Sequence, residues 1–147
     1  MADSTKIEIK IPNQSEYVGV VRLAISGIAN RMNFSVEDIE DIKIAVSEAC
    51  ANAVRYAYPN TKIGYIDITC IPEKYQLEII IKDSGIGFDL KNPHKPKKQK
   101  EEVPNLGLGL VFMQSLMDKV NMSSAPNKGT TVHLIKKVPS LSLKSKN

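Results

Sequence analysis

The stretch from Ile39 to Tyr58, IEDIKIAVSEACANAVRYAY, constrains this chain more than any other. Its apolar residues Ile39, Ile42, Val46, Ala49, Ala53 and Tyr56 recur at gaps of three and four, which predicts one helix with one buried stripe. Ser35 before the run, followed by Glu37 and Asp38, fits a helix start. Tyr58-Pro59-Asn60 ends it, because proline disfavours helical geometry in the residue before it. Glu48 and Asn52 break the pattern. They are four residues apart and share a side of the helix. At roughly 100° per residue, that side is a flank of the stripe, continued toward the helix start by Asp41 and Ala45. A carboxylate and an amide at the edge of a buried face can line a pocket. The bland alternative is solvated surface.

Two glycine clusters favour the pocket. Asp83-Ser84-Gly85-Ile86-Gly87 follows a strand-like run, Leu77 to Lys82. Gly107-Leu108-Gly109 precedes a helix-like run, Leu110 to Asp118. Glycine lets the backbone approach a ligand closely. A Gly-x-Gly entering a helix offers free N–H groups and a positive dipole end to phosphate. Either cluster alone marks no more than a turn. The order is more specific: a helix with ExxxN, a strand into DxGxG, a long loop, GxG into a helix, then Gly129-Thr130 entering a last strand.

That order resembles the ATP-binding domain shared by gyrases, Hsp90 chaperones, histidine kinases and the MutL mismatch-repair proteins, the GHKL fold. Within it, PNQSEYVGVVRLAISGIANRM and IEDIKIAVSEACANAV resemble the small bacterial serine kinases that are also anti-sigma factors and regulate sigma-B. The likeness runs from about Ile7 to Lys137 and includes the first helix. It implies a two-layer α/β sandwich, with a mixed sheet and three main helices on one face. It implies one kinase and anti-sigma domain over residues 1–138, with a flexible tail over 139–147.

The resemblance also assigns roles. Asp83 would accept a hydrogen bond from the adenine amino group, with Thr130 supporting that end of the site. Gly85 and Gly87 would let the backbone pass beside the base and sugar. Gly107, Leu108 and Gly109 would offer backbone N–H groups to the phosphates. Asn52 would give its amide oxygen to Mg²⁺, which commonly takes few protein ligands. Glu48 would stand near the γ-phosphate as the base for an attacking hydroxyl. The cofactors implied are ATP and Mg²⁺. The partners implied are a sigma factor, taken as sigma-B, an anti-anti-sigma protein bearing the target serine, and a second copy in a homodimer. Arg22, in the first helix, is the residue assigned to partner binding.

Composition fits these expectations. The chain has 147 residues, 24% of them charged and 42% hydrophobic, as ordinary soluble domains do. The net charge of +4 owes much to Lys91, Lys95, Lys97, Lys98 and Lys100. No nucleic-acid motif accompanies these lysines, so they read as a solvated loop and no direct nucleic-acid partner is expected. Cys50 and Cys70 lack CxxC spacing and read as buried free thiols in a reducing cytosol. The N-terminus lacks a signal-peptide apolar region, and no run reaches membrane-span length, so a cytoplasmic location without membrane association is expected.

In chain order, Ile7, Ile9 and Ile11 alternate with charges as a strand that Pro12 stops. Asn13 and Glu16 are spaced like a capping pair for a helix reaching about Met32. Val20 or Val21, Leu23, Ala24, Ile28 and Met32 are available for its packing. Gly19 and Gly27 in it mark either a close neighbour or mere tolerance. A hairpin follows the long helix, pairing Ile66, Ile68 and Cys70 with Leu77, Ile79 and Ile81. Thr130, Val132 and Leu134 share a face of the last strand. His94 and His133 have no partners at metal-ligand spacing, so no zinc site is assigned. The loop from Phe88 to Leu106 is long enough to be a lid, and it contains no arginine, so any side-chain charge it offers to phosphate is lysine. Two other readings stand beside the kinase: a histidine-kinase-like ATPase domain, and a non-catalytic nucleotide-binding interaction module.

Overall fold

The computed structural model describes residues 5–58, 63–89 and 106–139. Strand β1 (Ile7–Pro12) leads through a 3₁₀ turn (Ser15–Tyr17) into α1 (Val18–Ala29) and then α2 (Val36–Asn52), which continues as a π-helical turn (Ala53–Ala57). The hairpin β2 (Tyr65–Pro72) and β3 (Gln76–Asp83) follows, then α3 (Leu106–Leu116), β4 (Lys119–Ser124) and β5 (Thr130–Lys137). The five strands form one sheet in the order β1-β2-β3-β5-β4. The two-layer α/β architecture is as expected from the sequence.

The long helix starts where its signals place it. Ser35 Oγ accepts from the Asp38 N–H at 3.0 Å, and the Asp38 carboxylate accepts from the Ser35 N–H at 3.4 Å, a reciprocal capping box. Ile39, Ile42, Val46, Ala49 and Ala53 are buried as the stripe requires. The π turn then shifts the phase by one residue, so Ala57 is buried in place of Tyr56.

Isoleucine-rich strands suit a pleated surface with one buried face. Their register lines up Ile9, Ile68, Ile81, Val132 and Met122 across all five strands. The next inward row is Ile11, Ile66, Asp83, Thr130 and Ser124, so it turns polar at the β3 end. Cys50 and Cys70 are both fully buried free thiols, and burial pushes them up to about 12 and about 11 respectively.

Four expectations need correction. All four strand pairings are antiparallel, so the sheet is not mixed. The chain leaves β3, returns at the sheet edge as β4, and folds back as β5 between them, so no two parallel strands are neighbours. Strand β4 itself was not expected. Asn13 does not cap α1: its side chain accepts from the Gly64 N–H at 3.1 Å and ties the end of β1 to the start of β2. Val21, Ile25 and Ala29 form the buried stripe of α1, which leaves Leu23 76% exposed, about half a turn away.

Candidate active site

The π turn aims the end of α2 at the first glycine cluster. The Ala57 carbonyl accepts from the Ile86 N–H at 2.9 Å. A Cβ on Gly85 would lie 2.1 Å from that same carbonyl oxygen, so the backbones meet too closely for any side chain. Tyr58 fixes the other side of the junction. Its hydroxyl donates to the Tyr65 carbonyl at 2.9 Å and accepts from the Ser84 N–H at 2.8 Å. Gly87 adopts φ +65°, which turns the chain toward the β4–β5 connection.

Asp83 ends β3 on the inward face and is 6% exposed. Burial pushes its pKa above the usual carboxylate value, while backbone hydrogen bonds from Gly85 and Thr130 pull it the other way. The Gly85 N–H donates to Asp83 Oδ1 at 2.9 Å. Thr130 lies opposite Asp83 in the β3–β5 register. Its hydroxyl is 2.8 Å from Ser124 Oγ, which also donates to the Gly129 carbonyl at 3.1 Å and accepts from the Phe88 N–H at 2.9 Å. Ser124 therefore ties Thr130 to the chain leaving Gly87. Sequence reasoning missed it because β4 went unrecognised, although Val120, Met122 and Ser124 alternate there.

The second glycine cluster lies inside a helix, not before it. Leu106 to Gly109 make the first turn of α3, where backbone N–H groups have no partner within the helix. Leu108 points outward, 66% exposed. Gly109 is pressed against α2: a Cβ there would stand 2.7 Å from Glu48 Oε2 and 3.4 Å from Asn52 Nδ2. Glu48 and Asn52 are both half-buried, and Asn52 Nδ2 is buried with no hydrogen-bond partner. A buried amide with unspent bonding capacity fits a residue whose partner is a ligand. Asp41, farther along the flank, instead faces Lys136 at 3.8 Å, and Ala45 is fully buried.

The structure thus gathers Glu48, Asn52 and Gly109 at the α2–α3 contact, and Asp83, Gly85, Gly87 and Thr130 at the adjoining sheet end. Arg22 lies apart, exposed on α1. The lid lysines and His94 fall outside the described residues. His133 pairs with Glu78 on the outer sheet face.

Known proteins resemble this chain in sequence and fold. Residues 11–136 match the family described as the histidine kinase-like ATPase domain. The chain is 43% identical to the serine-protein kinase RsbW of Bacillus velezensis, over 88% of this chain and 84% of that protein. It is 42% identical to RsbW of Bacillus subtilis with the same coverage. The solved RsbU and RsbW domains of a Mycobacterium tuberculosis protein superpose with a TM-score of 0.67 at 19% identity, covering 91% of this chain and 32% of that one. The family match and the identity over most of both chains agree, and the chain belongs to the RsbW serine-protein kinases of the histidine kinase-like ATPase family.

Proposed function

We propose that this protein uses Mg-ATP to phosphorylate a serine of an anti-anti-sigma protein, and that it holds a sigma factor, taken as sigma-B, inactive. The observation that carries the catalytic half is the contact of Gly109 with Glu48 and Asn52. It puts the first turn of a helix, a carboxylate and an unpartnered amide around one point.

Each residue then has a task. Asp83 accepts from the adenine amino group, and Thr130 supports that end. Gly85 and Gly87 admit the base and sugar along the backbone. The N–H groups of Gly107, Leu108 and Gly109 bind phosphate oxygens, favoured by the helix dipole. Asn52 would hold Mg²⁺ through its amide oxygen, while its orphaned amide nitrogen, a donor, would serve a phosphate oxygen. When bound, Mg²⁺ neutralises phosphate charge during transfer. Glu48 orients and takes the proton of the attacking serine hydroxyl. The two products are a phosphoserine on the antagonist and ADP. A homodimer and a cytoplasmic location accompany the reading through the family resemblance.

Incubation with labelled ATP, Mg²⁺ and the candidate antagonist, followed by phosphoamino-acid analysis, tests it. Label on serine is expected. Label on histidine, or release as inorganic phosphate alone with the antagonist present, would overturn the kinase assignment in favour of a histidine-kinase-like or plain ATPase domain.

A further inference from the structure

Ser124 ends β4 on the inward face, in one row of the sheet with Thr130 and Asp83. Its hydroxyl oxygen lies 2.9 Å from the Phe88 N–H nitrogen, 3.1 Å from the Gly129 carbonyl and 2.8 Å from the Thr130 hydroxyl. A serine hydroxyl has one proton and two lone pairs, so these contacts use all of it. An N–H only donates and a carbonyl only accepts. Phe88 therefore occupies one lone pair, and the carbonyl of buried Gly129 takes the proton. A single lone pair is left for the remaining contact, so the Thr130 hydroxyl is its donor. Thr130 thereby spends its only hydroxyl proton inside the protein and keeps lone pairs alone to offer a ligand.

The other donors around Asp83 are committed as well. The Gly85 N–H donates to Asp83 Oδ1 at 2.9 Å, and the Thr130 N–H bonds the same carboxyl group. What this end of the site offers is acceptors. Adenine carries an amino donor at position 6 of the purine, where guanine carries an oxo acceptor. A 6-oxo oxygen brought here would lose its water and find no donor, which is costly. Release of the Thr130 hydroxyl would remove that barrier, because a hydroxyl rotates to suit its partner.

We propose that Ser124 is a positioning residue that sets purine selectivity: by holding the Thr130 proton, it makes Thr130 a fixed acceptor beside Asp83. The site then takes a 6-amino purine and refuses a 6-oxo purine. The inference rests on the reading of Asp83 and Thr130 as the adenine end, and it names the residue that keeps that end free of donors.

The test is calorimetric titration of the whole protein with ATP and, separately, with inosine triphosphate, which has the 6-oxo group without the 2-amino group of guanine. The quantity read is the ratio of the two dissociation constants. The natural protein should favour ATP by about 10²-fold or more, since a mismatch leaves buried polar groups unpaired. Ser124→Ala should cut that preference by about tenfold, the worth of one hydrogen bond. Ser124→Cys keeps the shape with a much weaker donor and acceptor, and it should do the same if alanine loosens the turn. The double variant Ser124→Ala/Thr130→Val lacks the freed hydroxyl and should reject inosine triphosphate again. A Ser124 that only braces the fold would weaken both nucleotides alike, and an unchanged ratio in the single variants would overturn the proposal. So would inosine triphosphate binding that persists in the double variant. A natural protein that binds both nucleotides equally would instead overturn the adenine reading of Asp83 and Thr130. One that binds neither would overturn the nucleotide site itself.

Discussion

Glu48 and Gly109 are in contact across the α2–α3 junction: a Cβ on Gly109 would lie 2.7 Å from Glu48 Oε2. The atom it would strike is the mobile end of a half-buried side chain, so the carboxylate can move aside. Gly109→Ala should therefore keep the fold, and alanine gains up to ~1 kcal/mol of helix propensity. The displaced Glu48 would no longer meet the attacking hydroxyl. A fall in turnover of about 10²-fold, with thermal stability equal or higher, is expected, because small misplacements of reacting groups cost that much. Natural turnover in this variant would show that Glu48 has no fixed catalytic position.

The carboxylate and the amide on α2 should separate chemistry from binding. Glu48→Gln should retain Mg-ATP binding and lower phosphoryl transfer by ~10²-fold or more, the usual worth of a general base. Asn52→Ala should weaken Mg-ATP binding itself, and its deficit should shrink when nucleotide is titrated without Mg²⁺. Calorimetric titration beside single-turnover kinetics reads both effects. An Asn52→Ala variant with full Mg-ATP affinity would remove Asn52 from the metal site.

Asp83 links pH to stability. Its folded-state pKa is raised by burial above the unfolded value, so the neutral form is the better accommodated. The associated stability is fully present below the unfolded pKa of about 3.9 and is lost as pH rises through the raised folded value. In urea unfolding without nucleotide, the natural protein should lose stability relative to Asp83→Asn across that interval, then hold a constant gap. Taking the difference cancels the other carboxylates. A flat difference would show that Asp83 binds no extra proton on folding. The same variant should weaken ATP binding by about tenfold, because an amide presents donors where only an acceptor serves the adenine amino group.

The two cysteines make a quieter prediction. Both thiols are buried and raised, Cys50 to about 12 and Cys70 to about 11, so thiolate is scarce at neutral pH. An aromatic disulfide reagent should leave both untouched in the native protein and titrate two thiols in denaturant. Prompt native reaction would place the α2–β2 packing in doubt.

These expectations divide by how local their origin is. The α2 stripe, its capping box and the β2–β3 hairpin were legible because period and caps are written in adjacent residues. The grouping of Glu48 with Asn52 was legible for the same reason. Three things were not. The π turn at Ala53–Ala57 has no composition of its own; it shows only in the shift of burial to Ala57 and in the bond from Ile86 to its carbonyl. Strand β4 is a short alternation, Val120-x-Met122-x-Ser124, masked by the helical run before it, and with it went Ser124 and the antiparallel sheet order. The outward turn of Leu23 followed from choosing among apolar residues on α1 that sequence alone cannot rank. Val21 and Ile25 face the core, and Asn13 does not cap α1.

The enzyme and the binder should come apart in one pair of variants. Glu48 and Asn52 face Gly109 on α3, whereas Arg22 stands exposed on α1. A Glu48→Gln protein should capture sigma factor as the natural protein does while leaving the antagonist unphosphorylated. Arg22→Ala should do the converse, because alanine cannot replace a forked, multi-donor contact. It should weaken sigma capture by about tenfold or more, within the range for truncating an interface arginine, and leave ATP binding intact. Sigma pull-down and a kinase assay on the same two proteins read both halves. Loss of sigma capture by Glu48→Gln with its fold intact would mean that the two activities share one site. Undiminished capture by Arg22→Ala would reduce Arg22 to a solvated arginine and move the sigma contact off α1.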